Sequence, residues 1–399
     1  MTWLELDEAT LESQGGTWTA QEIVRQPQCW RETLSLLHSQ RERIQAFLGP
    51  VLARPGIRVI LTGAGTSAYI GQCLLPLLLG RLAIRVEAIA TTDLVASPRS
   101  WFQADVPTLL VSFARSGGSP ESLAAVELAD QCLRDVHHLV VTCNAHGALY
   151  QACAGRADAL ALALPESTHD RAFAMTASFT SMVYAGLALF TGIEAAQAGV
   201  EAVAASAERV LAEACGGLRV LAGLSFARVV FLGSGPLLGL ASEAALKVME
   251  LSDGKVATFG HSPLGFRHGP KAVVNRDTLV VLFVSGDALA ARYDLDLLRE
   301  LANDDAAGAL MAIGEGADPA LPGVAWLRVA SPRAIPGAGA GARAGANAGD
   351  DALLMFPYIA CAQVYAFFRS LELGRRPDVP NDSGVVNRVV RGVTLHGLG

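Results

Sequence analysis

Aromatic residues are scarce in this chain, at 6% of its 399 positions, and charged residues make up only 17%. Hydrophobic residues account for 51%, so Ala, Leu and Val must fill the interior. That supply suits helices layered on a sheet better than a β-sandwich, whose core relies on larger side chains between two sheets. Cysteine motifs are missing too. Cys29, Cys73, Cys132, Cys143, Cys153, Cys215 and Cys361 are odd in number and contain no Cys-x-x-Cys, which removes a disulfide framework and a zinc knuckle. Most of them read as small buried residues. No His, Cys or carboxylate cluster has ligand spacing, so neither a metal nor another cofactor is expected.

Positive charge is in deficit, with a formal net charge of −7. A general nucleic-acid partner is therefore excluded, although backbone amides can still bind a local phosphate. Met1 to Gln14 carries several acids and no basic segment before an apolar core, unlike a signal peptide. Leu74 to Leu79 and Val183 to Phe190 are strongly apolar but too short to span a bilayer. A reduced cytoplasm, with no membrane partner, is the expected setting.

What is present concentrates between Val229 and Lys271. The apolar run Val229-Val230-Phe231-Leu232 fits a buried strand, Gly233-Ser234-Gly235-Pro236 breaks it, and an amphipathic helical pattern follows to Leu251. Glu243, Lys247 and Glu250 are spaced to share one face of that helix. Phe259 to Lys271, rich in Gly and Pro, reads as a loop and carries Arg267-His268-Gly269-Pro270-Lys271. A carboxylate, an ammonium and an imidazole above one strand end suit proton transfer. The competing reading is a surface helix with ordinary salt bridges and an incidental histidine.

The first half opens with the strand Arg58-Val59-Ile60-Leu61, the turn Thr62-Gly63-Ala64-Gly65-Thr66-Ser67 and an apolar helix to Leu79. A strand, a glycine turn and a helix start present backbone N–H groups and a positive dipole end. Alone, the Gly-x-Gly signal also admits a dinucleotide fold with Asp93 as the ribose acid. A second strand, Thr108 to Phe113, enters Ala114-Arg115-Ser116-Gly117-Gly118-Ser119-Pro120-Glu121-Ser122, where Ser119 is the expected cap and Pro120 the first helical residue. A capped turn explains Ser119; a phosphate cradle would use the remaining hydroxyls and glycines as well. A third strand follows at His138 to Thr142. His169, before a long apolar helix, reads as a loop histidine without a role.

The pattern then repeats. Val59-Ile60-Leu61 with Gly63 and Gly65 recurs about 170 residues later as Val230-Phe231-Leu232 with Gly233 and Gly235, and further strands recur at Leu279 to Phe283 and Ala309 to Ile313. Two α/β halves are expected, each a parallel sheet flanked by helices. Their boundaries read as a helical segment 1–50, a first domain 51–205, a second domain 206–374 and a tail 375–399. The second half has Ser285-Gly286-Asp287 where the first has its Ser/Gly loop. An aspartate there repels phosphate, so one phosphate site is expected. Pro336 to Gly349 is low in complexity and reads as a mobile connector or a cover.

Ser242-Glu243-Ala244-Ala245-Leu246-Lys247-Val248-Met249-Glu250-Leu251 with His268-Gly269-Pro270 resembles the isomerase half of glucosamine-6-phosphate synthase, whose pattern is E-x-A-L-K-x-x-E followed by H-G-P. The whole chain more closely resembles the AgaS group of tandem sugar-isomerase (SIS) domain proteins, and Thr19-Ala20-Gln21-Glu22-Ile23-Val24-Arg25-Gln26-Pro27 matches a phrase of that group. The resemblance implies two tandem SIS domains and aldose–ketose isomerisation of a hexose 6-phosphate, with release of ammonia from an amino sugar. It implies Glu250 as the base, Lys247 as its partner, and His268 in ring opening. Gly65, Thr66, Ser67, Arg115, Ser116, Ser119 and Ser122 would take the phosphate, with Ala114 standing where the synthase has a first serine. Phe173 and Met175 replace two sugar contacts of the synthase. Asn387-Arg388-Val389-Val390 belongs to a tail phrase of the group, in which Arg391 is the nearest counterpart of a ring-opening lysine and a poorer proton donor. In the synthase the H-G-P histidine enters the neighbouring subunit's site, which implies a homodimer with shared sites. The competing class is a non-catalytic sugar-phosphate sensor.

Overall fold

Two parallel sheets of five strands each organise the chain. They are seen in a computed structural model that describes residues 2–332, 348–381, 383–390 and 392–398. The first sheet holds Arg58–Thr62, Arg85–Ala88, Thr108–Ala114, Val136–Thr142 and Ala159–Ala163. The second holds Arg228–Gly233, Ala257–His261, Thr278–Phe283, Ala309–Gly314 and Val324–Arg328. Counted along the chain within each sheet, both have the order 2-1-3-4-5. That is a doubly wound order, in which ligands bind beyond the carboxyl ends of the central strands.

The repeat extends to backbone detail. Gly65 and Gly235 each cap the helix after their sheet's first strand, at φ 57°, ψ −128° and φ 55°, ψ −125°. A side chain would strain that conformation, so both turns require glycine. Behind each, the same bond closes the turn: Ser67 N–H to the Ala64 carbonyl at 3.1 Å and Leu237 N–H to the Ser234 carbonyl at 3.0 Å.

Each sheet has its own core. Ile60, Leu110 and Val140 pack against Leu94, Ala125, Val126 and Leu149. Val230, Val280 and Leu282 pack against Leu297, Leu298, Leu301 and Phe266. On its other face the second sheet is covered by Pro236–Leu251 and Ala348–Glu372, where Phe283 stacks on Phe231 and on Tyr358 with centroids 5.9 and 5.8 Å apart. Asp351–Glu372 is long and apolar enough to cross a membrane, but it is almost wholly buried in the protein.

Several expectations change. Phe259 to Lys271 is not an irregular loop throughout. Ala257–His261 is a parallel edge strand beside Arg228–Gly233, and Pro263–Phe266 is a short helix capped by Ser262. The glycine that suggested a loop, Gly260, instead lets this strand pass close to the Ala241–Ser242 backbone. Thr19 lies inside the helix Thr17–Val24, and its N–H and hydroxyl both go to the Asp378 carboxylate. Of the low-complexity stretch, 336–347 lies outside the described residues, and Ala348 opens the last long helix.

The chain divides into two interleaved units. One, with the first sheet, comprises Cys29–Asp170, Ala177–Gln197 and Ser383–Gly399. The other, with the second sheet, comprises Met1–Gln28, Arg171–Thr176 and Ala198–Asp382. The consecutive segments read from the sequence therefore do not coincide with these units. The helical preface is divided between them because its side chains are committed to different places. Gln26 donates to Gln363 at 2.7 Å, whereas the Trp30 indole donates to Thr180 at 3.0 Å.

Candidate active site

The helix Pro236–Leu251 buries its apolar face, and Glu243 and Lys247 are enclosed with it, neither having any exposure. The Lys247 ammonium lies 3.4 Å from Glu243 Oε1 and donates to Glu250 Oε2. Glu250 keeps 23% of its side chain exposed. This is not a solvated surface pair. Two carboxylates flank a buried ammonium, where removing one partner would strand a charge at a cost of several kcal/mol. Of the three groups, only Glu250 is open to solvent. Lys247 is enclosed and orients the Glu250 carboxylate.

His268 follows the short helix Pro263–Phe266, whose Phe266 is fully buried in the second core. The flanking cations do not add free charge. Arg267 Nε donates to Glu300 at 2.8 Å, and Lys271 Nζ pairs with Glu300 and Asp304. Gly269, at φ 116°, turns the chain between them. His268 is left exposed, and among the described residues its ring has no hydrogen bond, to Glu250 or to anything else. The structure thus joins Glu243, Lys247 and Glu250, and among the described residues no hydrogen bond ties His268 to them.

In the first-sheet unit, Thr66 and Ser67 begin the helix Thr66–Leu79 and are nearly buried. Ser119 caps Pro120–Cys132, accepting from Ser122 N–H at 3.4 Å and sharing a 2.6 Å bond with its hydroxyl. Ser116 Oγ accepts from Gly118 N–H at 3.3 Å. Each hydroxyl has a local partner, so turn capping accounts for more of this loop than its spacing suggests. The helix dipole and Arg115 still make it an anion-attracting end of the sheet. Arg115 is buried and donates to the Arg388 carbonyl at 2.8 Å, while the Arg388 guanidinium donates to the Asp170 carbonyl. Burial, followed by the charges of Arg388 and Arg115, holds the His169 pKa below the ordinary imidazole value.

In the second-sheet unit, half-buried Phe173 and buried Met175 lie on a segment held by two acids. The Glu22 carboxylate accepts from Arg171 N–H at 2.5 Å and Ala172 N–H at 3.3 Å, and Phe173 N–H donates to the Asp378 carbonyl at 3.0 Å. Arg391 lies outside the described residues. Among the described residues no group of His, Cys, Asp and Glu could hold a metal ion.

No protein-family model matches the chain. It is 46% identical over 389 residues to an AgaS protein of Streptomyces coelicolor, covering 95% of each chain. It is 42% identical over 391 residues to D-galactosamine-6-phosphate deaminase AgaS of Escherichia coli, covering 96% of each. This chain belongs to the AgaS family. Among solved structures, tagatose-6-phosphate ketose/aldose isomerase from Escherichia coli superposes with a TM-score of 0.85 at 38% identity, over 98% of both chains. The C-terminal domain of glucosamine-fructose-6-phosphate aminotransferase from Francisella tularensis superposes at 0.72 with 16% identity, covering 91% of this chain and 98% of that one, and so shares the tandem SIS fold.

Within this AgaS-family chain, sequence reasoning missed the residues that hold the loops in place. Asn144 Nδ2 donates to the Ser116 carbonyl at 2.9 Å, and a Cβ on Gly147 would lie 2.4 Å from the same oxygen. Arg388, Glu22 and Asp378 went unassigned as well, though Glu22 and Arg388 stand inside the family phrases. An acid standing inside such a phrase was the available signal; its full burial, which marks Glu22 as structural, is not visible in a sequence.

Proposed function

We propose that this AgaS-family enzyme converts an amino-hexose 6-phosphate, galactosamine 6-phosphate, to tagatose 6-phosphate and ammonia. Support comes from AgaS relatives spanning nearly the whole chain and a Lys247-held Glu250 in their company. The carrying observation is the inequality within the helix cluster: Glu250 is open while Glu243 and Lys247 are closed.

After ring opening, Glu250 takes the proton from C2 of the aldehyde form, and the electron pair makes a C1–C2 enolamine with O1 protonated. Returning the proton to C1 leaves an imine at C2. Water adds to it and ammonia leaves, giving the ketose. A hydroxyl in place of the amine makes the same steps a plain aldose–ketose isomerisation through an enediol. Lys247 orients Glu250, and His268 moves the ring-opening proton. Gly65, Thr66, Arg115, Ser116 and Ser119 receive the phosphate, with Ser67 and Ser122 beside them; Phe173 and Met175 shape the sugar's surroundings. No metal and no other cofactor enters these steps, and nothing favours the sensor reading.

The enzyme works as a homodimer in which each site takes His268 from the partner subunit; the outward, unbonded ring supports this. Seven free cysteines, six of them buried, suit a reducing cytoplasm. The test is incubation with galactosamine 6-phosphate and with glucosamine 6-phosphate, measuring ammonia and ketose. No ammonia and no ketose from galactosamine 6-phosphate would refute the assignment.

A further inference from the structure

The second sheet has its own version of the loop that precedes Pro120–Cys132. Val284-Ser285-Gly286-Asp287 joins the strand Thr278–Phe283 to the helix Ala288–Asp304, which Asp287 caps. Its donors already face anions. Gly286 N–H donates to Asp351 Oδ1 at 2.7 Å, and the Ser285 hydroxyl donates to Asp351 Oδ2 at 2.6 Å. Ser285 N–H donates to Asp294 Oδ2 at 2.9 Å, and the Ser234 hydroxyl, from the repeated glycine turn, donates to Asp294 Oδ1 at 2.6 Å. Asp351 is far away in sequence, near the start of Ala348–Glu372, and only 2% exposed. Both its oxygens are held by a hydroxyl and a backbone N–H just before a helix, which is how proteins grip carboxylates and phosphates.

We propose that the second sheet carries a second anion-binding cradle whose resident ligand is the Asp351 carboxylate, supplied by the chain itself. The likeness to the Ser116–Ser119 loop rests on the phosphate role proposed above; the grip on Asp351 does not. The role of the aspartates here is more specific than repulsion of phosphate. One of them occupies the cradle, so each chain keeps a single exchangeable phosphate site. The occupied cradle also fastens Ala348–Glu372 to the sheet, and that helix packs against Pro236–Leu251, which carries Glu250.

An internal ligand can be replaced by an external one. Asp351→Ala should unfold at a lower temperature than the wild type, and added formate should raise its unfolding temperature well beyond the wild type's response, because formate binds only the folded, vacated cradle. Inorganic phosphate is the second probe, read as the difference from the wild type, which takes phosphate elsewhere. Ser285→Ala keeps the carboxylate and loses a donor, so it should be destabilised without any gain from formate. An Asp351→Ala protein as stable as the wild type, or one whose formate and phosphate responses match the wild type's, overturns the proposal. If Asp351→Ala does not accumulate folded, refolding decides: recovery with formate or phosphate supports the cradle, and no recovery with either overturns it. Failure of the Ser116 and Ser119 assignment would leave this result untouched.

Discussion

Lys247 donates to Glu250 from a position with no exposure of its own, so a fully buried ammonium holds a carboxylate that is itself partly open to solvent. Glu250→Gln should keep sugar-phosphate binding and lose roughly 10²–10⁴-fold in rate, the usual worth of a positioned general base. Exchange of the C2 proton with solvent should disappear with it. Glu243 is fully buried, so the main effect of Glu243→Gln should be on stability. A fast Glu250→Gln enzyme beside a dead but folded Glu243→Gln enzyme would mean that the wrong carboxylate of this helix has been chosen.

Ser119 caps a helix and Ser116 closes a turn, so the proposed phosphate role must be separated from loop structure by choice of substrate. The double change to alanine should raise KM for the sugar phosphate, each lost charge-assisted bond being worth about 1.5–3 kcal/mol. It should leave the much weaker reaction of the non-phosphorylated sugar unchanged. An equal loss on both sugars would assign these hydroxyls to loop structure alone.

The parts of this fold that could be read from sequence are those where one physical signal dominates. The central strands, such as Thr108–Ala114 and Thr278–Phe283, are buried along their whole length and appear as predominantly apolar runs. Edge strands such as Arg85–Ala88 and Val324–Arg328 are partly exposed and mixed in composition, and they escaped notice. Helical spacing placed Glu243, Lys247 and Glu250 on one face, but it could not tell which carboxylate stays open. Bonds between distant segments, such as Glu22 to Arg171 or Asp351 to Gly286, follow from the tertiary fold and leave no local pattern.

Asp294 gives the protein a pH dependence of definite sign. Burial, with Asp351 and Asp287 nearby, raises its pKa to about 6 from an ordinary 3.8, against the pull of the Ser234 and Ser285 bonds. The folded state therefore binds this proton more tightly than the unfolded chain does. Its stabilising contribution is fully present below pH 3.8 and is lost as pH rises through about 6, a change on the order of 3 kcal/mol. Denaturant unfolding of the wild type and Asp294→Asn between pH 4 and 6 checks this. The difference in stability between them should change across that window and be flat above it. A constant difference would mean that Asp294 does not titrate there.

His268 and Glu250 can be separated by where they act, because the outward histidine has no bond to its own chain's Glu250. In a dimer with shared sites, each site takes Glu250 from one chain and His268 from the other. Glu250→Gln and His268→Asn homodimers should each be nearly inactive. Mixed under conditions that exchange subunits, they form hybrids in which one site carries both lesions and the other carries none. Activity should then return, approaching half of the wild-type value per hybrid dimer. If every chain builds its own site, each site in the hybrid still holds one lesion and no activity returns. The hybrid must be verified physically, by differently tagged chains purified in succession, so that silence is informative. A verified but inactive hybrid would place His268 in its own chain's site or outside the reaction.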